Sequence, residues 1–132
     1  MKIIKESNVI PYSSEKLYSH IIDIDNYEKI LKDEIRSFEK LSDKEFKIKI
    51  GNMPGINLFL SDVPENNEVK LSSNDSNLNF YILLKIDPIE NNSSKIKVQF
   101  IGNFSSMIEM MIKKPLTVFI DSLKSKIEKI SI

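Results

Sequence analysis

Phe104-Ser105-Ser106-Met107-Ile108-Glu109-Met110-Met111-Ile112-Lys113-Lys114-Pro115-Leu116-Thr117-Val118-Phe119-Ile120-Asp121-Ser122-Leu123-Lys124-Ser125-Lys126-Ile127-Glu128-Lys129-Ile130 is the stretch that decides the fold. Within it Phe104, Met107, Ile108, Met111, Ile112, Leu116, Phe119, Ile120, Leu123, Ile127 and Ile130 recur at i, i+3, i+4 and i+7, the spacing of one apolar helical face. At about 1.5 Å of rise per residue, a stripe of about 26 residues is a rod of about 39 Å, enough to cross a whole sheet. Pro115 interrupts it. Proline removes one hydrogen bond and crowds the preceding turn, which predicts a bend or break near Ile112.

Upstream the period is two. Phe46, Ile48 and Ile50 alternate with charged residues; Ile56, Leu58 and Leu60 do so with Asn57, Phe59 and Ser61; Leu78, Phe80, Ile82, Leu84 and Ile86, then Ile96, Val98 and Phe100, repeat the pattern. Between these runs lie Ser42-Asp43, Gly51-Asn52-Met53-Pro54-Gly55, Pro64-Glu65-Asn66-Asn67, Asn74-Asp75-Ser76-Asn77 and Glu90-Asn91-Asn92-Ser93-Ser94, each with the chemistry of a turn. Connections this short imply an antiparallel meander. At the start, Lys2 to Ile10 reads as a strand closed by Pro11, followed by Ser13 or Ser14 as an N-cap. Leu17, Tyr18, Ile21 and Ile22 then mark one short helix, and Ile24, Tyr27, Ile30 and Leu31 a second. The predicted order is strand, two short helices, about six strands and one long helix. A strongly twisted sheet of that kind curls round its terminal helix, leaving either filled core or a cavity between them.

The chain has 132 residues, read here as a single domain over 1–132, with 41% hydrophobic and 29% charged residues. Basic and acidic residues number 19 each; up to Asn66 they divide 10 against 12, and after it 9 against 7, so neither half is charge-biased. That balance speaks against a nucleic-acid partner. With no cysteine, thiol nucleophiles, Cys-ligated zinc, iron–sulfur clusters and disulfides are excluded, and the single histidine rules out a multi-His metal site. No apolar run approaches the roughly 20 residues of a membrane span, so stable membrane insertion is not expected and the reading is cytoplasmic. The abundance of Ile, Lys and Asn beside an absence of Ala fits an A- and T-rich coding sequence, not adaptation to a ligand.

This order of elements resembles the START-like, or helix-grip, superfamily, also called the polyketide cyclase/dehydrase and lipid transport group, over residues 2 to 130. Val9-Ile10-Pro11-Tyr12-Ser13-Ser14-Glu15-Lys16-Leu17-Tyr18 is similar to that superfamily's first strand, proline turn and first helix. More narrowly, Gly51-Asn52-Met53-Pro54-Gly55-Ile56 and Met110-Met111-Ile112-Lys113-Lys114-Pro115-Leu116 resemble a small branch found in Bacteroidetes-type bacteria, to which no activity is tied. The resemblance implies an α+β helix-grip fold, a curved antiparallel sheet of six to seven strands wrapped round the C-terminal helix. It also implies carriage of a small hydrophobic molecule, lipid or polyketide-like, between sheet and helix.

Phe46, Leu58, Phe80, Phe100, Met107, Met111 and Phe119 are the expected pocket wall, with plain core packing as the alternative for the methionines. No cofactor, metal ligand or catalytic residue is assigned. A cyclase- or dehydratase-type enzyme is a second expectation, with Glu39 or Tyr81 as acid–base groups. Glu39 and Ser37 share a strand face with Ile35 and Leu41 that points inward in one register and outward in the other. A filled-core, co-chaperone-like interaction module, with a homodimer or protein partner on Phe59, Tyr81 and Leu83, is the third. His20 is expected on the surface, and Asp23, Asp25, Glu28, Asp33 and Glu34 are read as caps and solvated helix residues. Gly51 to Gly55 is a hairpin connection, since no helix and no Lys-Ser/Thr follows to make a phosphate loop. Lys113-Lys114 is too short a basic step for a nucleic-acid or lipid-headgroup site.

Overall fold

The computed structural model describes residues 1–73 and 78–132. The expected turn at Asn74-Asp75-Ser76-Asn77 lies outside the described residues. Strand β1 (Lys2–Glu6) is followed by helices α1 (Ser14–Ile21) and α2 (Ile24–Leu31), then by β2 (Ser37–Lys40), β3 (Glu45–Lys49), β4 (Ile56–Val63), β5 (Glu68–Ser73), β6 (Phe80–Glu90) and β7 (Ser93–Gly102), and finally by helix α3 (Ser106–Glu128). The strands form one sheet in the order β1-β7-β6-β5-β4-β3-β2, antiparallel at every pairing. Successive strands from β2 to β7 are sheet neighbours, and β1 closes on β7. This is the order of elements that the alternating and helical patterns predict, and the α+β helix-grip architecture that the resemblance implies.

Alternation along each strand sends one set of side chains inward: Phe46 and Ile48 on β3, Ile56, Leu58 and Leu60 on β4, and Ile82, Leu84 and Ile86 on β6 are all buried. Against this face α3 lays Leu116, Phe119, Ile120, Leu123 and Ile127, packing on β7 and β1, while α2 bridges α3 and β2. Each helix starts where a short polar side chain takes up an orphan N–H: the Ser13 Oγ accepts from Lys16 N at 3.2 Å, the Asp23 Oδ1 from Asp25 N at 3.0 Å and the Ser105 Oγ from Ile108 N at 3.3 Å. No helix among the described residues is long and apolar enough to cross a membrane.

Two expectations are corrected. The first strand stops at Glu6 instead of running to Ile10, because Ser7 breaks the ladder: its hydroxyl accepts from Ile96 N at 2.9 Å and donates to its neighbour's carbonyl, Asn8 O, at 2.8 Å. The chain re-pairs at Ile10, whose N and O both bond Ser94, at 2.7 and 3.1 Å. The second correction concerns the break, one of the two outcomes expected of Pro115. It does not break α3, which runs unbroken for 23 residues through the proline. One lost backbone bond is outweighed by the apolar flank that α3 buries on both sides of it, Ile112 before and Leu116, Phe119 and Ile120 after. The cost is still present, so Pro115→Ala is expected to raise stability by up to about 3 kcal/mol, seen as a rise in Tm of several degrees. An unchanged or lower Tm would show that the helix gains nothing from the missing N–H.

Gly102 is the glycine the packing requires. A Cβ there would lie 2.5 Å from the Phe104 ring and 3.0 Å from Phe80 Cβ, so the ring that closes the end of the core sits where any larger residue would.

Candidate functional site

Between β3 and β4 the chain turns outward. Gly51 takes a left-handed conformation (φ 52°), Met53 N returns a hydrogen bond to Ile50 O at 2.9 Å, and Gly51-Asn52-Met53-Pro54 stands out as a finger. Opposite it lies the first half of α3. The space between them is an open cleft of about 670 Å³, walled by Ile50, Met53 and Pro54 on the finger side, by Ile108, Met111, Ile112 and Pro115 on α3, and by Leu78. Among the described residues, Asn52 contributes the lone polar side chain of the lining and no titratable group lines it. Around Ile50 and Pro115 the cleft continues into a shallower hollow of about 370 Å³, edged by Glu34, Lys114, Val118 and Phe119.

The expected wall residues are dispersed by the structure. Met111 lines the cleft and is 71% exposed; Met107, 73% exposed, stands outside the lining. Phe119 is buried at the edge of the shallower hollow. Phe46, Leu58, Phe80 and Phe100 lie deep between sheet and helices, with the rings of Phe80 and Phe100 stacked at 4.9 Å, Phe100 and Phe104 at 6.2 Å, and Phe46 against both Tyr27 at 5.6 Å and Phe38 at 5.1 Å. These four residues are packed core and do not line the cleft.

The finger and Leu78 were not among the expected wall residues. One signal was present: the two stretches that carry the narrower resemblance, 51–56 and 110–116, are far apart in the chain and meet across this cleft. An apolar Met53 within a turn was a second.

The groups weighed for acid–base chemistry lie elsewhere. Glu39 is exposed on β2, the face opposite Phe38. Tyr81 is on the outer face of β6, between Ser72 and Ile101 in the register, with the Lys70 ammonium 4.5 Å from its ring centroid. Phe59 and Leu83 share that outer face, Phe59 being exposed and Leu83 half-buried. His20 is half-buried, a departure from the expected surface position, and its burial lowers its pKa, with Lys29 adding to the shift and Asp23 opposing it. Its neutral form is therefore favoured in the folded state, so this contribution to stability is present above the ordinary histidine pKa and lost as pH falls through the lowered value. The Tyr18 hydroxyl donates to Asp62, and burial followed by that bond pushes the phenol up, out of reach of base chemistry near neutrality. Among the acidic residues, Asp23 caps α2, Asp25 pairs with Lys40 at 2.9 Å, and Asp33 pairs with Lys126, whose hydrogen bond lowers the Asp33 carboxyl. Among the described residues no cluster of three His, Cys, Asp or Glu side chains could hold a metal ion.

No family model matches the sequence, and no curated protein matches it. Solved structures do match the fold. A protein from Thermus thermophilus superposes with a TM-score of 0.76 at 14% identity, over 98% of this chain and 95% of that one. A START superfamily protein from Mycobacterium smegmatis gives 0.68 at 14% identity, over 98% and 99%. The protein has the START-like fold. Norcoclaurine synthase from Thalictrum flavum, in complex with dopamine and hydroxybenzaldehyde, shares that START-like layout with a TM-score of 0.72 at 11% identity, over 100% of this chain and 89% of the enzyme. Identities this low carry the fold and nothing finer. The START-like fold is compatible with ligand binding.

Proposed function

We propose that the protein reversibly binds a small, neutral, mainly apolar molecule in the cleft between the 51–54 finger and α3. The observation that carries this reading is the cleft itself: about 670 Å³ of open space walled by apolar side chains, with Asn52 as the lone polar one among the described residues. Water held there makes few hydrogen bonds, so an apolar guest displaces it at little cost. Covering about 300 Å² of apolar guest surface at about 25 cal/mol per Å² yields about 7 kcal/mol, which sets a ceiling near micromolar affinity. Lipid- or polyketide-like compounds fit this chemistry, and a cytoplasmic setting, drawn from the sequence, belongs to the same proposal. Support by analogy comes from the norcoclaurine synthase structure, which holds two small aromatic molecules. Among the described residues no titratable side chain lines the cleft, which favours carriage or sensing over acid–base catalysis.

Titration with prodan, a neutral fluorophore without a hydrogen-bond donor, tests the reading. A saturable, blue-shifted emission with one site per chain is expected; emission that stays that of the free dye would refute it.

A second reading, self-association, has one observation in its favour. Met110 is 85% exposed and Val118 56%, about two turns apart on one flank of α3 with Lys113, Lys114 and Thr117 between them. Sedimentation across a concentration series decides it: a rising sedimentation coefficient supports a homodimer, and a constant monomer value removes it.

A further inference from the structure

In an α-helix the carbonyl of residue i points at the N–H of residue i+4. In α3 the carbonyl of Met111 points at residue 115, and Pro115 has no N–H to return. The helix is unbroken through this position. Ile108, Met111, Ile112 and Pro115 are spaced to share one helical face, and all four line the cleft. The vacated acceptor therefore lies in the cleft wall, between Met111 and Pro115. No serine or threonine is placed to satisfy it from within the helix: positions 114 and 115 are Lys and Pro, and the Thr117 hydroxyl is committed to Lys113 O at 2.7 Å.

We infer that the cleft selects guests that carry a neutral hydrogen-bond donor, a hydroxyl or amide N–H on an apolar body, received by the main-chain carbonyl of Met111. The inference rests on the cleft being the binding site. A carboxylate or phosphate would meet a carbonyl dipole of the wrong sign and no cation among the described lining residues, and would be left unpaired. An ammonium would lose its hydration for one acceptor, with Lys114 at the neighbouring rim. A neutral donor meets neither penalty. Asn52 offers both donor and acceptor from the finger, so it adds to binding without setting this preference.

The test compares 1-decanol with its methyl ether, each displacing prodan from the wild-type protein and from Pro115→Ala. Alanine restores the N–H at 115, which recaptures the Met111 carbonyl, and it favours the helix, so the variant folds. Its smaller side chain alters apolar contact alike for both guests, and their different solubilities in water are the same for both proteins. The preference for alcohol over ether is expected to be about three- to tenfold larger in the wild type than in Pro115→Ala, the factor for one net hydrogen bond. An equal preference in the two proteins, with both guests binding, would overturn the donor inference and leave the cleft standing. Failure of the wild type to bind prodan or either guest would overturn the cleft reading and this inference with it.

Discussion

Met111→Trp is expected to abolish binding of apolar guests while leaving Tm within about 2 °C of the wild type. Met111 is largely exposed, so the replacement forces nothing into the core and creates no buried cavity. Its side chain nevertheless stands on the cleft wall beside Ile108 and Pro115, facing the finger at Met53 and Pro54. An indole there is larger than a thioether by several heavy atoms and takes up the room a guest needs, so prodan affinity should fall by at least about a hundredfold, or about 2.7 kcal/mol. Titration alongside thermal melting separates the two quantities. Unchanged binding in a folded variant would remove α3 from the site; a collapse of Tm would show that Met111 carries packing that its exposure does not reveal.

Phe100→Ala is expected to destabilise the fold by about 3–5 kcal/mol, a large share of the roughly 5–15 kcal/mol typical of a domain. Phe100 is fully buried at the junction of three strands, paired with Ile3 on β1 and Ile82 on β6, with its ring stacked between Phe80 and Phe104. Truncation empties the centre of that stack, and its strand neighbours Ile3 and Ile82 are held in place by the sheet, so the cavity closes only in part. Chemical denaturation should show a lower midpoint with the slope unchanged. A loss under about 1 kcal/mol would mean that this region is a loosely filled chamber and not the packed core described here. Met110→Ala, at an exposed position, serves as the reference and should change stability by no more than about 0.5 kcal/mol.

The fold was legible because its signals are periodic. The stripe from Phe104 to Ile130 and the alternation through Phe46–Ile50, Ile56–Leu60 and Phe80–Ile86 dictate which faces are buried, and burial of those faces leaves few arrangements. The shortened first strand was not legible, since Ser7 looks like any polar strand residue until its hydroxyl is seen taking the Ile96 N–H. Pro115 misled for a different reason: a local rule about one hydrogen bond competes with the burial of a whole helical flank, and the flank wins.

The site was less legible than the fold. Periodicity identifies Phe46, Leu58, Phe80 and Phe100 as inward-facing, but whether inward means core or cavity depends on how the side chains fill the space: Phe80 and Phe100 stack on each other, and Phe46 stacks on Phe38 and Tyr27. The cleft is made instead by a turn and a helix end, where there is no period to read. Glu39 and Tyr81 show the same limit, because a shift of one residue in register exchanges the inner and outer faces and only the observed pairing settles it.

The most direct test of the central claim is native mass spectrometry of the protein purified from its own host, followed by solvent extraction and identification of what is released. The account predicts a one-to-one adduct of a neutral, mainly apolar compound, present on the wild type and missing from Met111→Trp. A bare protein mass, together with no thermal shift across a panel of lipids and apolar metabolites, would contradict it.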